Sequence, residues 1–148
     1  MDIAGSVAIV TGANRGIGEA FVRALIGQGA AKVYAGARKA ESARHLVDEF
    51  GDKVVALELD VTREEQVAAA VAACPDVSIV INNAGAFLNQ RLIAADTMAA
   101  AREEMEVNYF GVLSMSRSFA PTLKQNGGGA IVNVLSAGGL CAMPVMGG

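Results

Sequence analysis

Apolar and polar residues follow two rhythms that take turns along this chain. Val7-Ala8-Ile9-Val10 is a short apolar run cut off by Thr11-Gly12, the pattern of a strand covered on both faces. Ile17, Ala20, Phe21, Ala24 and Leu25 then recur at helical spacing, and Gly27 and Gly29 offer stops at the C-terminal end. Lys32 to Gly36 predicts a second strand, Ala40 to Phe50 a helix closed by Gly51, and Val54 to Leu59 a third strand. Thr62-Arg63-Glu64-Glu65 predicts an N-cap at Thr62, with acids in the first turn of a helix reaching Ala73, where Pro75 bars continuation. Val77 to Ile81 predicts a fourth strand. A long helix follows near Arg102 to Gln125, with Met105, Tyr109, Val112, Leu113, Ala120 and Leu123 on or near one stripe. Gly127-Gly128-Gly129 ends it, Ala130 to Leu135 predicts a fifth strand, and the Gly-rich residues after Ser136, with Pro144, predict a loop.

Strands that are nearly continuous in apolar character, alternating with helices, require right-handed crossovers and a parallel sheet. The fold class is therefore α/β, a doubly wound Rossmann-type sheet truncated to about five strands, expected in the order 3-2-1-4-5. Residues 1–148 are expected to form one domain, with ligand bound at the carboxyl ends of the strands, near the switch point between strands 1 and 4.

Composition narrows the choice of partners. Hydrophobic residues make up 53% and charged residues 18%, which argues against disorder and points to a sheet covered on both faces or to apolar surface meeting a partner. A net charge of −3, with no Lys/Arg cluster, argues against nucleic-acid binding. Cys74 and Cys141 have no metal-ligand spacing and are expected to be buried free thiols. With one histidine, a metal cluster is hard to assemble, so no metal site is expected. The N-terminus lacks the basic-then-apolar pattern of a signal peptide, and the stretch from Val67 to Ile81 is broken by Pro75 and Asp76. No membrane association and a cytoplasmic location are expected.

Chemistry enters at Thr11-Gly12-Ala13-Asn14-Arg15-Gly16-Ile17-Gly18, between strand 1 and helix 1. Gly12 permits a tight turn, Gly16 lets a pyrophosphate approach the backbone, and Gly18 permits close helix–strand contact. Free N–H groups at the helix start, with Asn14, Arg15 and Ile17 in the same turn, would face the phosphates. No Gly-Lys-Ser/Thr follows, which rules out a P-loop. At the end of strand 2, Tyr34-Ala35-Gly36-Ala37-Arg38 offers no carboxylate to accept from a ribose 2′-OH. Arg38, joined by Arg15, suits a 2′-phosphate instead, so NADP (NADPH) is the expected cofactor.

The turn TGANRGIG, the pair Asp60-Val61, the run Asn82-Asn83-Ala84-Gly85, Asn108 within the long helix and Ser136 after strand 5 fall in one order. Together they resemble the short-chain dehydrogenase/reductase family over essentially the whole chain. That resemblance implies an oxidoreductase passing hydride between NADP(H) and a small-molecule carbonyl or alcohol substrate. It implies that Asp60 binds the adenine amino group, that Val61 flanks the ring, and that Asn83, Ala84 and Gly85 line the adenosine-ribose side and stabilise the central sheet. It further implies that the hydroxyl of Ser136 hydrogen-bonds the substrate oxygen and that Asn108 holds a water in a proton relay. On residue type alone, Ser136 is a turn residue and Asn108 a satisfied buried amide.

One part of the family pattern is not met. The proton-donating Tyr, with Lys at the fourth position after it, is due about a dozen residues beyond Ser136. Tyr34 has Arg38 at that offset and Tyr109 has Leu113. A polypeptide of these residues alone is expected to lack turnover, which keeps a second reading open, a non-catalytic NADP-binding or dimerisation fragment. An epimerase or dehydratase on the same scaffold fits less well with the Ser-containing pattern. Strand 5 as an open sheet edge, with uncovered apolar surface, predicts a homo-oligomer.

Overall fold

A computed structural model describes residues 2–89 and 97–139. Cys141 and Pro144 lie outside them. Five parallel strands, β1 (Val7–Thr11), β2 (Lys32–Ala37), β3 (Val54–Glu58), β4 (Ile79–Asn82) and β5 (Ala130–Asn133), form one sheet in the order β3-β2-β1-β4-β5. Strand β1 sits between β2, with Val7 opposite Lys32, and β4, with Ala8 opposite Ile79. The chain thus reverses direction across the sheet between β1 and β4, the expected ligand crevice for a doubly wound fold.

Helices α1 (Gly16–Gly27) and α2 (Arg44–Phe50, preceded by a 3₁₀ turn Ala40–Ala43) cover one face. Beneath them Ala8, Val10, Val22, Leu25, Val33, Leu46 and Ile81 form an apolar cluster. On the other face α3 (Glu64–Ala73) and the long helix bury Ile9, Val67, Val80, Met115 and Phe119. Ala8 and Val10 point one way and Ile9 the other, as pleating requires, so every β1 side chain meets a packed layer. Two glycines end helices in the left-handed region. Gly29 (φ +86) and Gly127 (φ +85) donate backward to Ile26 and Lys124, and the next residues, Ala30 and Gly128, reach Leu25 and Leu123. Both ends are Schellman motifs.

Three local expectations change. The helix after β3 starts at Glu64, not at a Thr62 cap. The amide and hydroxyl of Thr62 both donate to Asp60 Oδ1, at 3.0 and 2.7 Å, so Thr62 closes an Asx turn instead. In α1, Ile17 is 63% exposed and Ala20 and Ala24 face solvent, while Gly18, Val22 and Leu25 are buried. The long helix begins earlier, as α4 (Ala99–Met105), passes through a π turn (Glu106–Gly111), and continues as α5 (Val112–Gln125). Its buried residues are Glu104, Gly111, Met115, Phe119, Thr122 and Leu123, whereas Met105, Tyr109 and Leu113 of the expected stripe stand exposed. A π turn accommodates an extra residue and rotates the face that follows, so a single 3.6-residue stripe fails across it.

Candidate functional site

The carboxyl end of β1 is a hydrogen-bonded junction. Thr11, its last residue, accepts at Oγ1 from the amides of Asn83 (3.0 Å) and Ala84 (2.9 Å). Asn83 returns the contact, its Nδ2 donating to the carbonyls of Thr11 (2.9 Å) and Gly12 (3.2 Å). The loop leaving β4 is thereby locked to the turn leaving β1. Thr11 is 1% exposed and was not singled out by its sequence, where it is only the polar residue ending an apolar run.

The glycine turn divides its labour. Gly12 (φ +64) lies against Ala84, and a Cβ on it would come within 3.0 Å of Ala84 Cα. A Cβ on Gly18 would lie 2.2 Å from the Gly12 carbonyl oxygen and 2.5 Å from Asn83 Nδ2, so nothing larger fits between helix and turn. Gly16 (φ +57) faces open space, with no atom within 4 Å of where a Cβ would stand. That position combines a backbone conformation that side chains disfavour with room for a ligand beside the helix start. Arg15, at the N-cap, makes no side-chain cap bond and is exposed, as is Asn14 in part. The amide of Ala13 donates to the carbonyl of Gly36 at 2.9 Å, which ties the turn to the end of β2. Arg38, the exposed residue that follows β2, stands on that same edge. Neither arginine has an ion-pair partner among the described residues.

Asp60 is half-buried after β3, its Oδ1 occupied by Thr62 and its amide donating to Gln66 Oε1 at 2.7 Å. Val61 is 8% exposed and packs against the π turn, where a Cβ on Gly111 would come within 2.6 Å of its Cγ2. Gly85 lies close to Asn108, whose Oδ1 would stand 3.4 Å from an added Cβ. Asn108 sits in the π turn and holds both polar groups of Ala86, accepting from its N–H and donating to its carbonyl, each at 2.8 Å. Its amide is satisfied as expected but exposed rather than buried. Each end keeps one further hydrogen-bonding position. Ser136, beyond β5, accepts from the amide of Gly138 at 3.1 Å, a local turn that leaves the hydroxyl proton free to donate outward.

Tyr34 is not near these groups. It lies toward the amino end of β2, where its hydroxyl donates to Asp76 Oδ1 at 2.8 Å. Cys74 is buried, and burial pushes its thiol up to about 12, which makes it inert at neutral pH. An open hollow of about 430 Å³ runs along β3 between Glu41, Arg44, Val47 and Val55, away from the junction. Among the described residues no helix is long and apolar enough to cross a membrane, and no cluster of His, Cys, Asp or Glu could hold a metal.

A parallel doubly wound sheet with a glycine turn at its switch point defines a dinucleotide-binding class of fold. Within that class, residues 6–148 match the family described as short chain dehydrogenase, and the chain belongs to the short-chain dehydrogenase/reductase family. A short chain dehydrogenase from Burkholderia cenocepacia J2315, solved in complex with NADP, is 50% identical and superposes with a TM-score of 0.91, over 99% of this chain and 60% of that one. A 3-ketoacyl-(acyl-carrier-protein) reductase from Brucella melitensis, complexed with NADH, is 32% identical with a TM-score of 0.89, over 98% of this chain and 63% of that one. The NADP-dependent 3-hydroxy acid dehydrogenase YdfG of Shigella flexneri is 32% identical over 96% of this chain and 58% of its own length. The chain thus spans between half and two-thirds of the length of these relatives.

Proposed function

We propose that this chain binds NADP(H) and is the cofactor-binding part of an oxidoreductase. When bound, the cofactor supplies hydride exchange with a small-molecule carbonyl or alcohol. The observation that carries this is the glycine turn at the start of α1, open at Gly16 and filled by packing at Gly12 and Gly18. Gly12, Asn14, Gly16, Ile17 and Gly18 would hold the pyrophosphate through backbone N–H groups and the positive end of α1. Arg15 and Arg38 would neutralise a 2′-phosphate, and β2 presents no carboxylate that would favour NAD. Asp60 would take the adenine amino group with the oxygen that Thr62 leaves unused, and Val61, Asn83, Ala84 and Gly85 would wall the adenosine side. Ser136 would donate to the substrate oxygen, and Asn108 would steady a relay water.

Titration calorimetry tests the cofactor reading. NADPH should bind more tightly than NADH. Arg38→Ala should weaken NADPH by about 1.5–3 kcal/mol, the scale of a lost charged hydrogen bond, and NADH far less. Equal losses for both, or no affinity for either, would refute it.

A second reading has its own support. Neither tyrosine is followed by lysine at the fourth position, and Tyr34 is bound to Asp76 away from the crevice. A polypeptide of these 148 residues would then bind the nucleotide without turnover. Assaying it for carbonyl reduction beside a version extended through a Tyr-x-x-x-Lys segment separates the two, with activity expected only in the longer form. In either case the protein would act in the cytoplasm as a homo-oligomer.

A further inference from the structure

Glu104 is the one charged side chain buried among the described residues, at 5% exposure. Its neighbours Glu103 and Glu106 are exposed. No cation pairs with it among the described residues. Its one partner there is the backbone N–H of Leu88, which donates to Oε1 at 2.5 Å. A carboxylate withdrawn from water without a counter-charge is unfavourable, and an apolar side chain would pack there at less cost. A short, charge-assisted bond to a single loop amide is what the position obtains in return.

Asn108, one turn further along the same helix, grips the same loop at Ala86. Four residues advance about 6 Å at α-helical rise, and somewhat less where the wider π turn takes over at Glu106. Two residues of extended chain advance about 6.6 Å. The spacing of the two side-chain anchors therefore matches the spacing of Ala86 and Leu88. The loop runs along the helix in the opposite direction, as a strand would along a neighbour, and then turns at Asn89 (φ +49). Between and beside the anchors, Phe87 and Leu88 keep large apolar side chains 57% and 42% exposed.

We propose that Glu104 is a positioning residue which, together with Asn108, sets the path of the loop leaving β4 and makes Phe87 and Leu88 an apolar rim on the crevice. What the rim faces rests on the nucleotide-binding reading above. If that reading holds, the rim borders the reacting end and selects carbonyl compounds that carry an apolar group.

Two variants of the chain separate anchoring from general packing. Glu104→Gln keeps an acceptor oxygen for Leu88, and Glu104→Leu fills the space without one. Amide hydrogen exchange should show Leu88 exchanging about tenfold faster or more in Glu104→Leu. Ile9 and Val80 in the sheet centre should be unchanged, and Glu104→Gln should stay close to the parent chain. Affinity for NADPH should hardly move in either variant, because the glycine turn is untouched. The proposal is overturned if Leu88 exchanges equally in Glu104→Leu and the parent. It is equally overturned if Gln loses protection as fully as Leu, or if Ile9 and Val80 lose protection alongside Leu88. Should Leu88 depend on Glu104 while no nicotinamide dinucleotide binds, the anchor stands and the nucleotide reading falls.

Discussion

Gly16 and Gly18 sit within one turn, yet substituting them asks two different physical questions. At Gly18 a methyl would collide with the Gly12 carbonyl at 2.2 Å and with Asn83 at 2.5 Å, both fixed by the junction at Thr11. Gly18→Ala should therefore destabilise the fold by about 1–3 kcal/mol or more, as overpacking does, read by urea unfolding. At Gly16 nothing is near, and the penalty of Gly16→Ala is the left-handed backbone alone, about 1–2 kcal/mol. Its methyl would nevertheless occupy the space assigned to the pyrophosphate, so NADPH affinity should fall much further than stability does. Similar affinity in Gly16→Ala and the parent would remove the pyrophosphate from this turn. Spacing alone does not separate a ligand-binding turn from an ordinary one. The turn and the close helix contact at both glycines were nevertheless legible in the sequence, because they stand between an apolar run and a helical pattern. Thr11 and Glu104 were not. A threonine ending a strand and one glutamate among several have no pattern that separates them from turn and surface residues, and only the fold decides which is buried.

At the scale of elements, β2 is tied to the connection before β4 by Lys32, Tyr34 and Asp76. Lys32 Nζ and the Tyr34 hydroxyl each donate to Asp76 at 2.8 Å. Burial pushes the Asp76 carboxyl up, but the hydrogen bonds from Lys32 and Tyr34 together outweigh it and hold the group below the ordinary carboxylate range. The bond that Lys32 donates to Asp76, seconded by one to the Tyr34 hydroxyl, holds Lys32 above its ordinary value. Asp76 thus contributes stability that is complete above its unfolded pKa of about 3.9 and is lost as pH falls through the lower folded value. Lys32 contributes below its unfolded pKa of about 10.4, and that part is lost as pH rises through the higher folded value. Both side chains are partly solvated, so solvent screens the cluster and its share of stability should be small. Asp76→Asn should cost at most about 1 kcal/mol at about pH 7, and the gap to the parent should narrow as pH falls below the ordinary carboxylate range. A gap of constant size across that range would remove the carboxylate from the account. Helix boundaries show where reading a pattern stops. Elements that end in Schellman glycines, α1 and α5, were found to within a few residues. The stripe on the long helix was misplaced, because the π turn over Glu106–Gly111 leaves no mark in apolar spacing.

For the molecule as a whole, strand order followed from alternation and handedness, and the surface then follows from that order. Strand β5 is an edge, with Ile131 and Val132 exposed and Leu135 at 86% exposure. Met105, Tyr109, Phe110 and Leu113 leave a second apolar area on the helix that packs near it, and all of these but Phe110 belong to the stripe that apolar spacing predicts. Apolar residues in that number can be placed inside or against a partner, and the sequence pattern does not distinguish the two. Exposed apolar area of this kind drives association, so a polypeptide of these residues should self-associate. Sedimentation velocity should give a mass that climbs above 15.1 kDa with concentration. Replacing Phe110 and Leu113 together by Glu should lower that association while leaving the helix folded, because both side chains already face water and neither is part of a buried cluster. If association persists in that variant but a lysine at Ile131 abolishes it, the open β5 edge is the route instead. A concentration-independent monomer of parent stability would mean that neither area holds a partner, and the oligomer would have to be given up.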